Sequence, residues 1–252
     1  MVASKPGNFQ IEQIPSDPCI RFQLWYGGNR ARRHTTETRA KAVIDAIPVK
    51  PEKLRVLEVG GSWGYFSFLL ASRGATVTAT DVLVEDLAFG AKVHQMNSCN
   101  GSVEFCAADA LALPFPDGSF DTTISMEMIE HIPIGPEEVC AEFARVTRVG
   151  GFVVLSTPNP KGVAQVVKNQ LKKIPALRRH YTFLDYDEWF LSPAEVLLSA
   201  GKAHLQPIAM SRTGMTVPFA PNWLFPANLI IEKVFTVLPG LLTTNIFVFK
   251  KC

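Results

Sequence analysis

The chain has 252 residues, 47% of them hydrophobic and 19% charged, with a formal net charge of +2 at pH 7. That length allows one large domain or two small ones and a sizeable buried core, while so small a charge does not by itself point to nucleic acid. The five cysteines (Cys19, Cys99, Cys106, Cys140, Cys252) are scattered, with no Cys-x-x-Cys, which speaks against a disulfide scaffold and against a zinc cluster.

Residues 1–30 read as irregular. Their opening, Met-Val-Ala-Ser-Lys-Pro-Gly-Asn, shows no apolar signal segment, so a reducing, cytoplasmic setting is expected. Ala31 to Ile47 reads as a helix with Ala42, Val43, Ala46 and Ile47 on its apolar side, ended by Pro48. Leu54 to Val59 is a short apolar strand, and Gly60, Gly61 and Gly64 make a turn where a backbone can approach a ligand. Tyr65 to Ser72 reads as a helix, Ala75 to Thr80 as a strand closed by Asp81, and 84–96 as a helix. Strands follow at Ser102 to Ala107, 120–126 and 151–156. A helix over 136–148 begins with Pro136 and Glu137-Glu138, a residue choice that suits a helix start. Ser192 to Gly201 is a short capped helix, and His204 to Met210 and Asn245 to Phe249 are final strands. Strand–helix alternation means an α/β fold, with a mostly parallel sheet covered by helices on both faces. The expected organisation is a single domain over 1–252. It has an N-terminal segment and helix (1–50), a ligand-binding core (51–158) and substrate-side insertions at 159–192 and 213–243.

An acid about 20 residues after such glycines is placed to take the hydroxyls of a ribose. Asp81 therefore points to a nucleoside-containing cofactor at the carboxyl edge of the sheet. The spacing Gly-Gly-x-x-Gly, with Glu58 closing the strand, suits a cationic ligand better than a diphosphate.

Glu58 to Gly64 resembles motif I of the class I S-adenosylmethionine (SAM) methyltransferases, Asp/Glu-x-Gly-x-Gly-x-Gly, with Ser62 in place of the central glycine. Leu113-Pro-Phe-Pro-Asp-Gly-Ser-Phe-Asp121 resembles a segment of the quinone-type members, and Val149 to Asn159 resembles the fifth-strand motif. The nearest likeness is to the ubiquinone-biosynthesis O-methyltransferase group. The resemblance implies a Rossmann-like seven-stranded sheet whose last strand is antiparallel. It implies SAM as cofactor, held by Glu58, Gly60, Gly61, Ser62, Gly64, Asp81, Asp109, Ala110 and Met126, with Asp109 receiving the adenine amino group.

The methyl of SAM is already activated on a sulfonium, so a general base is needed only where the nucleophile must lose a proton. If 127–131 is a helical turn, Glu127, Glu130 and His131 share one face and form a candidate site for Mg²⁺, Mn²⁺ or Zn²⁺. This pattern resembles metal positions in ubiquinone O-methyltransferases and small-RNA 2′-O-methyltransferases. In metal-free relatives Glu130 and His131 instead shape the substrate mouth, with His131 as candidate base. His180 is a further candidate ligand or base.

Two stretches address the acceptor. Val163 to Arg179 combines apolar Val163, Val166, Val167, Leu171 and Ile174 with Lys168, Lys172, Lys173, Arg178 and Arg179. Such a pattern suits an anionic membrane surface or RNA phosphates. Val217 to Leu242 is apolar but interrupted by Pro226, Asn228, Glu232, Lys233 and Pro239. It reads either as a core-packing helix or as a lid over a lipid-like substrate. The aromatics Tyr181, Phe183, Tyr186, Trp189 and Phe190 suit an apolar acceptor. The expected acceptor is a hydroxyl of a small or lipid-like molecule (quinol, glycolipid or sugar), with peripheral membrane contact. The rivals are an RNA 2′-O-methyltransferase, an N- or C-methyltransferase, and an inactive binding subunit.

Overall fold

Short apolar runs broken by glycines alternate with amphipathic stretches, and the backbone follows that alternation. The computed structural model describes residues 30–95, 99–171, 173, 191–214, 223, 225–235 and 238–252. The expectations for residues 1–29, Lys172, Arg178, Arg179, His180 and the Tyr181 to Phe190 aromatics lie outside these described residues. The elements are α1 (Arg30–Ala46), β1 (Arg55–Val59), α2 (Tyr65–Ala71), β2 (Thr76–Asp81), α3 (Val84–Gln95), β3 (Ser102–Ala107) and β4 (Phe120–Met126). They continue with α4 (Pro136–Val146), β5 (Thr147–Pro158), α5 (Val163–Leu171), α6 (Pro193–Lys202), β6 (Leu205–Thr213), α7 (Phe225–Phe235) and β7 (Thr244–Lys251).

The seven strands form one sheet in the order β3-β2-β1-β4-β5-β7-β6. Only β7 runs against its neighbours, β5 and β6, as the resemblance implies. Strand order reverses between β1 and β4, which opens a crevice at their carboxyl ends. Two apolar layers hold the sheet. Val43, Phe66, Leu70, Val56, Val77 and Ile246 pack on one face, and Leu57, Phe143, Leu155, Val196, Phe247 and Phe249 on the other. The alternation of Ile246 and Val248 with Phe247 and Phe249 is the period of a strand buried on both faces.

The largest strand-boundary difference from the sequence expectation is at the start of β5. Strand β5 begins at Thr147, four residues before the expected Gly151, and the preceding helix stops at Val146. Thr147 pairs with Phe120, then the register jumps so that Phe152 pairs with Thr122. Gly150 turns through φ +74 within this bulge, and a Cβ on Gly151 would lie 2.6 Å from the Asp121 carbonyl. A glycine pair that looks like a strand start is thus a kink inside the strand.

Candidate cofactor and active site

The loop after β1 needs its glycines. Gly60 and Gly64 hold φ of +77 and +76, a left-handed region that favours glycine. The N–H groups of Gly60 and Gly61 both donate to the Thr80 carbonyl at 2.8 and 2.9 Å, which ties the loop to the end of β2. A Cβ on Gly60 would stand 2.4 Å from the Met128 Cγ, so the segment after β4 closes directly on the loop. His94 of α3 bonds the Gly64 carbonyl through Nε2 at 3.1 Å, and burial pushes its imidazole below the usual pKa. A neutral ring suits that role as donor.

Ser62 stands where the resemblance calls for glycine, and it also takes a positive φ of 47. Such a backbone costs an L-residue about 1 kcal/mol or more. The serine has local compensation. Its N–H donates to Asp81 Oδ2 at 2.9 Å and its Oγ donates to Asp86 Oδ2 at 2.7 Å. Asp86 carries no sequence signal beyond its place in the first turn of α3, and it was not anticipated.

Glu58 lies beneath the loop and not in its mouth. The residue is 1% exposed, and its Oε2 accepts from the Ser67 N–H at 2.9 Å and from the Ser67 hydroxyl. Burial pushes its carboxyl up to about 7, against the lowering effect of the Ser67 bonds, and the nearby Asp81 charge raises it further. A Cβ on Gly61 would approach the Glu58 Cδ to 3.2 Å, so Gly61 lets the loop lie flat on this carboxyl.

Asp81 and Asp109 face the crevice edge. Asp81 accepts one N–H on each oxygen, from Ser62 at 2.9 Å and from Leu83 at 2.9 Å. Each carboxylate oxygen retains a second lone pair, so ribose hydroxyls can still be received. Val82 and Leu83, beside it, are exposed (64% and 42%) and offer an apolar surface to a flat base. Asp109 is exposed, with Oδ1 taking the Leu111 N–H at 2.9 Å, and its Oδ2 is open to an amino group. Ala110 is buried in the apolar layer, so its contribution to the site is its backbone and the placing of Asp109. Met126 ends β4, half-buried, opposite Ser156 of β5. Two carboxylates beside an exposed apolar strip fit a cationic nucleoside such as SAM.

The expected metal triad is not assembled. Residues 129–131 form a single 3₁₀ turn, and Glu127 lies outside it with φ +48, so the helical spacing does not apply. Glu127 is held instead by Arg39 of α1 and by the Thr244 hydroxyl of β7 at 2.8 Å. Glu130 is 2% exposed while His131 is exposed. Among the described residues no group of three His, Cys, Asp or Glu side chains converges on a metal position. The Arg39–Glu127–Thr244 contact was not legible beforehand, because it joins residues far apart in the chain.

The two stretches expected to address the acceptor are partly described. Helix α7 lies against α1, where Glu232 bonds His34 at 2.6 Å and Arg30 lies 5.0 Å from the Phe225 ring. Glu232, one of the polar residues that interrupt this apolar stretch, thus faces a partner and not water. In α5 the apolar Val166 and Val167 are exposed while Gln165 is buried, the reverse of a simple amphipathic docking.

Comparison with known proteins agrees with this geometry. The profile of a family described as "Methyltransferase domain" matches residues 57–155. A ubiquinone biosynthesis O-methyltransferase from Thiobacillus denitrificans is 32% identical over 205 residues, 79% of this chain and 80% of that protein. Its namesake from Leptothrix cholodnii is 34% identical over 161 residues, 61% of this chain and 65% of that one, so the match spans just under two thirds of this relative's length. Among solved structures, a geranyl diphosphate methyltransferase in complex with SAM superposes with a TM-score of 0.60 at 19% identity, covering 85% of this chain and 84% of that one. A SAM-dependent methyltransferase from Thermotoga maritima superposes with a TM-score of 0.67 at 16% identity, covering 92% and 94%. At these identities the structural likeness is one of fold.

Proposed function

The chain belongs to the SAM-dependent methyltransferases, and from that premise we propose that it transfers the methyl group to a hydroxyl of a small or lipid-like acceptor of the quinol, glycolipid or sugar kind. The observation that carries this reading is the 205-residue alignment to a ubiquinone biosynthesis O-methyltransferase. An alignment of that length cannot be confined to the cofactor-binding half, and it reaches past residue 155 into the acceptor-side segments. Bound SAM supplies a methyl already activated on its sulfonium. The residues of the chain have the task of alignment, and positioning of this kind can supply about 7–11 kcal/mol in favourable cases. Asp81 and Asp109 fix the nucleoside, and Met128 closes against the glycine loop. An acceptor hydroxyl must lose a proton, and the exposed His131 on the 3₁₀ turn after β4 is the group assigned to take it. Glu130, buried behind it, shapes the turn. A screen with labelled SAM against quinols, glycolipids, sugars and RNA tests the reading. Transfer to a hydroxyl of one small-molecule class is expected, and transfer to RNA or to an amine alone would replace it.

The cofactor assignments have their own test. Asp81→Ala should weaken binding of SAM and S-adenosylhomocysteine about 10-fold or more, the loss of a hydrogen bond to a charged group. Asp109→Ala should weaken SAM but leave an analogue without the adenine amino group nearly unaffected. Calorimetric titration distinguishes the two, and equal losses for both ligands would reduce Asp109 to a loop support.

A membrane-surface component belongs to the same proposal. Exposed Val166 and Val167 on α5, and exposed Trp223, Ile230 and Leu238 around α7, occupy the two insertions, next to the basic run from Lys168. None of the described helices is long and apolar enough to cross a membrane. Each Lys or Arg near an anionic surface contributes about 1 kcal/mol, so reversible attachment is expected. Liposome co-sedimentation at low salt should show binding that is lost when Lys168, Lys172 and Lys173 are changed to Glu. No binding by the wild type would remove this component, and loss of RNA binding instead would bring the RNA reading forward.

A further inference from the structure

Strand alternation places Thr157 of β5, Asn245 of β7 and Arg212 of β6 on one face of the sheet, the face that deeper down carries Leu155, Phe247 and Phe249. Thr157 is the register partner of Asn245, and Asn245 is the register partner of Arg212. Directly opposed side chains on one face are neighbours, so the three make a continuous polar row. The row lies at the carboxyl edge of β5 and β6, where both acceptor-side segments leave the sheet and where β7 enters it.

The row is built but incomplete. Arg212 Nε donates to Asn245 Oδ1 at 2.9 Å, which fixes the amide so that Nδ2 is the free end. Asn245 and Thr157 are 0% and 1% exposed. Even so, Asn245 Nδ2 and Thr157 Oγ1 have no hydrogen-bond partner among the described residues, and neither has Ser125 Oγ on the same face of β4. Leaving a buried donor unpaired costs about 1–3 kcal/mol, and native structures leave few such groups. The other face of the same edge is closed by the protein itself: Thr244 donates to Glu127, which also holds Arg39. Among the described residues no carboxylate is paired with this row. What remains unpaired is a buried amide N–H₂ and a buried hydroxyl, beside the half-buried guanidinium of Arg212.

We propose that this row is the polar anchor of the methyl acceptor and that it receives an oxyanion, a carboxylate or a phenolate, carried by that acceptor. The inference rests on the methyltransferase reading and deepens it by naming a chemical feature of the substrate. Charge-assisted bonds from the Arg212 and Asn245 donors are about twice as strong as neutral ones, so the row discriminates between an anion and its neutral isostere.

The test uses the full chain saturated with S-adenosylhomocysteine, titrated with benzoate and with neutral, near-isosteric benzamide and followed by amide chemical shifts. Benzoate should bind about 5-fold tighter or more, and Asn245→Leu and Thr157→Val should each abolish that preference while S-adenosylhomocysteine binding stays unchanged. Asn245→Leu removes an unpaired buried donor but also takes the acceptor away from Arg212 Nε, so its thermal midpoint is measured beside the titration; should it fail to fold, the isosteric Thr157→Val decides. Wild type that binds S-adenosylhomocysteine but shows no preference for benzoate would overturn the proposal and leave the row to an ordered water. A preference that survives Thr157→Val would overturn it too. Failure of the underlying reading looks different, since S-adenosylhomocysteine itself would not bind.

Discussion

His131→Ala is expected to lower kcat about 100-fold or more while binding of S-adenosylhomocysteine stays unchanged. Removing a positioned general base costs typically about 10²–10⁴ in rate, and among the described residues no hydrogen bond joins the His131 ring to the glycine loop. The histidine is exposed on the turn that follows β4, at the same carboxyl edge as the glycine loop. His131→Gln keeps the size and one polar end of the ring without its basicity, and it should be as slow as the alanine form. A variant with full kcat would reduce His131 to a lining residue of the mouth. The acceptor would then have to arrive already deprotonated or carry a nucleophile that needs no base.

The cofactor half was legible in the sequence because it is built from local rules. A strand of five residues, a turn that needs positive φ and a helix start leave their marks within Arg55 to Ala71, and the acids at strand ends mark the edge. The antiparallel β7 came from resemblance and the strand order from the structure alone, since no periodicity in one strand says which strand lies next to it. What the sequence could not show were contacts closed across the sheet. Glu58 looked like a ligand-facing acid, but its partner is Ser67, a residue of the next helix whose hydroxyl carries no motif. Glu127, Glu130 and His131 looked like one helical face, but a left-handed Glu127 turns that side chain toward Arg39, 88 positions earlier in the chain. The row formed by Thr157, Asn245 and Arg212 is likewise made by strand pairing and has no trace in the local sequence.

The burial of Glu58 has a thermodynamic consequence that reaches the cofactor. Its carboxyl is raised from the usual 4.5 to about 7 in the folded chain, chiefly by burial. Between those values the folded state binds a proton that the unfolded state has released. The stabilisation from this group is therefore complete below about pH 4.5 and is lost as the pH rises through about 7. Its size, from the two pKa values, is about 3 kcal/mol. Urea unfolding should thus show wild type losing about 3 kcal/mol between pH 5 and pH 8 relative to Glu58→Gln, whose amide does not titrate. Parallel pH profiles for the two proteins would show that Glu58 is either charged throughout or hydrated. The same proton links to ligand. Asp81 raises the Glu58 carboxyl through its charge, and a sulfonium bound at that edge acts in the opposite sense, favouring the ionised form. Binding of SAM should then release part of a proton near pH 7, seen as a buffer-dependent binding enthalpy. S-adenosylhomocysteine, without the sulfonium charge, should release less, and Glu58→Gln should remove the difference between the two ligands.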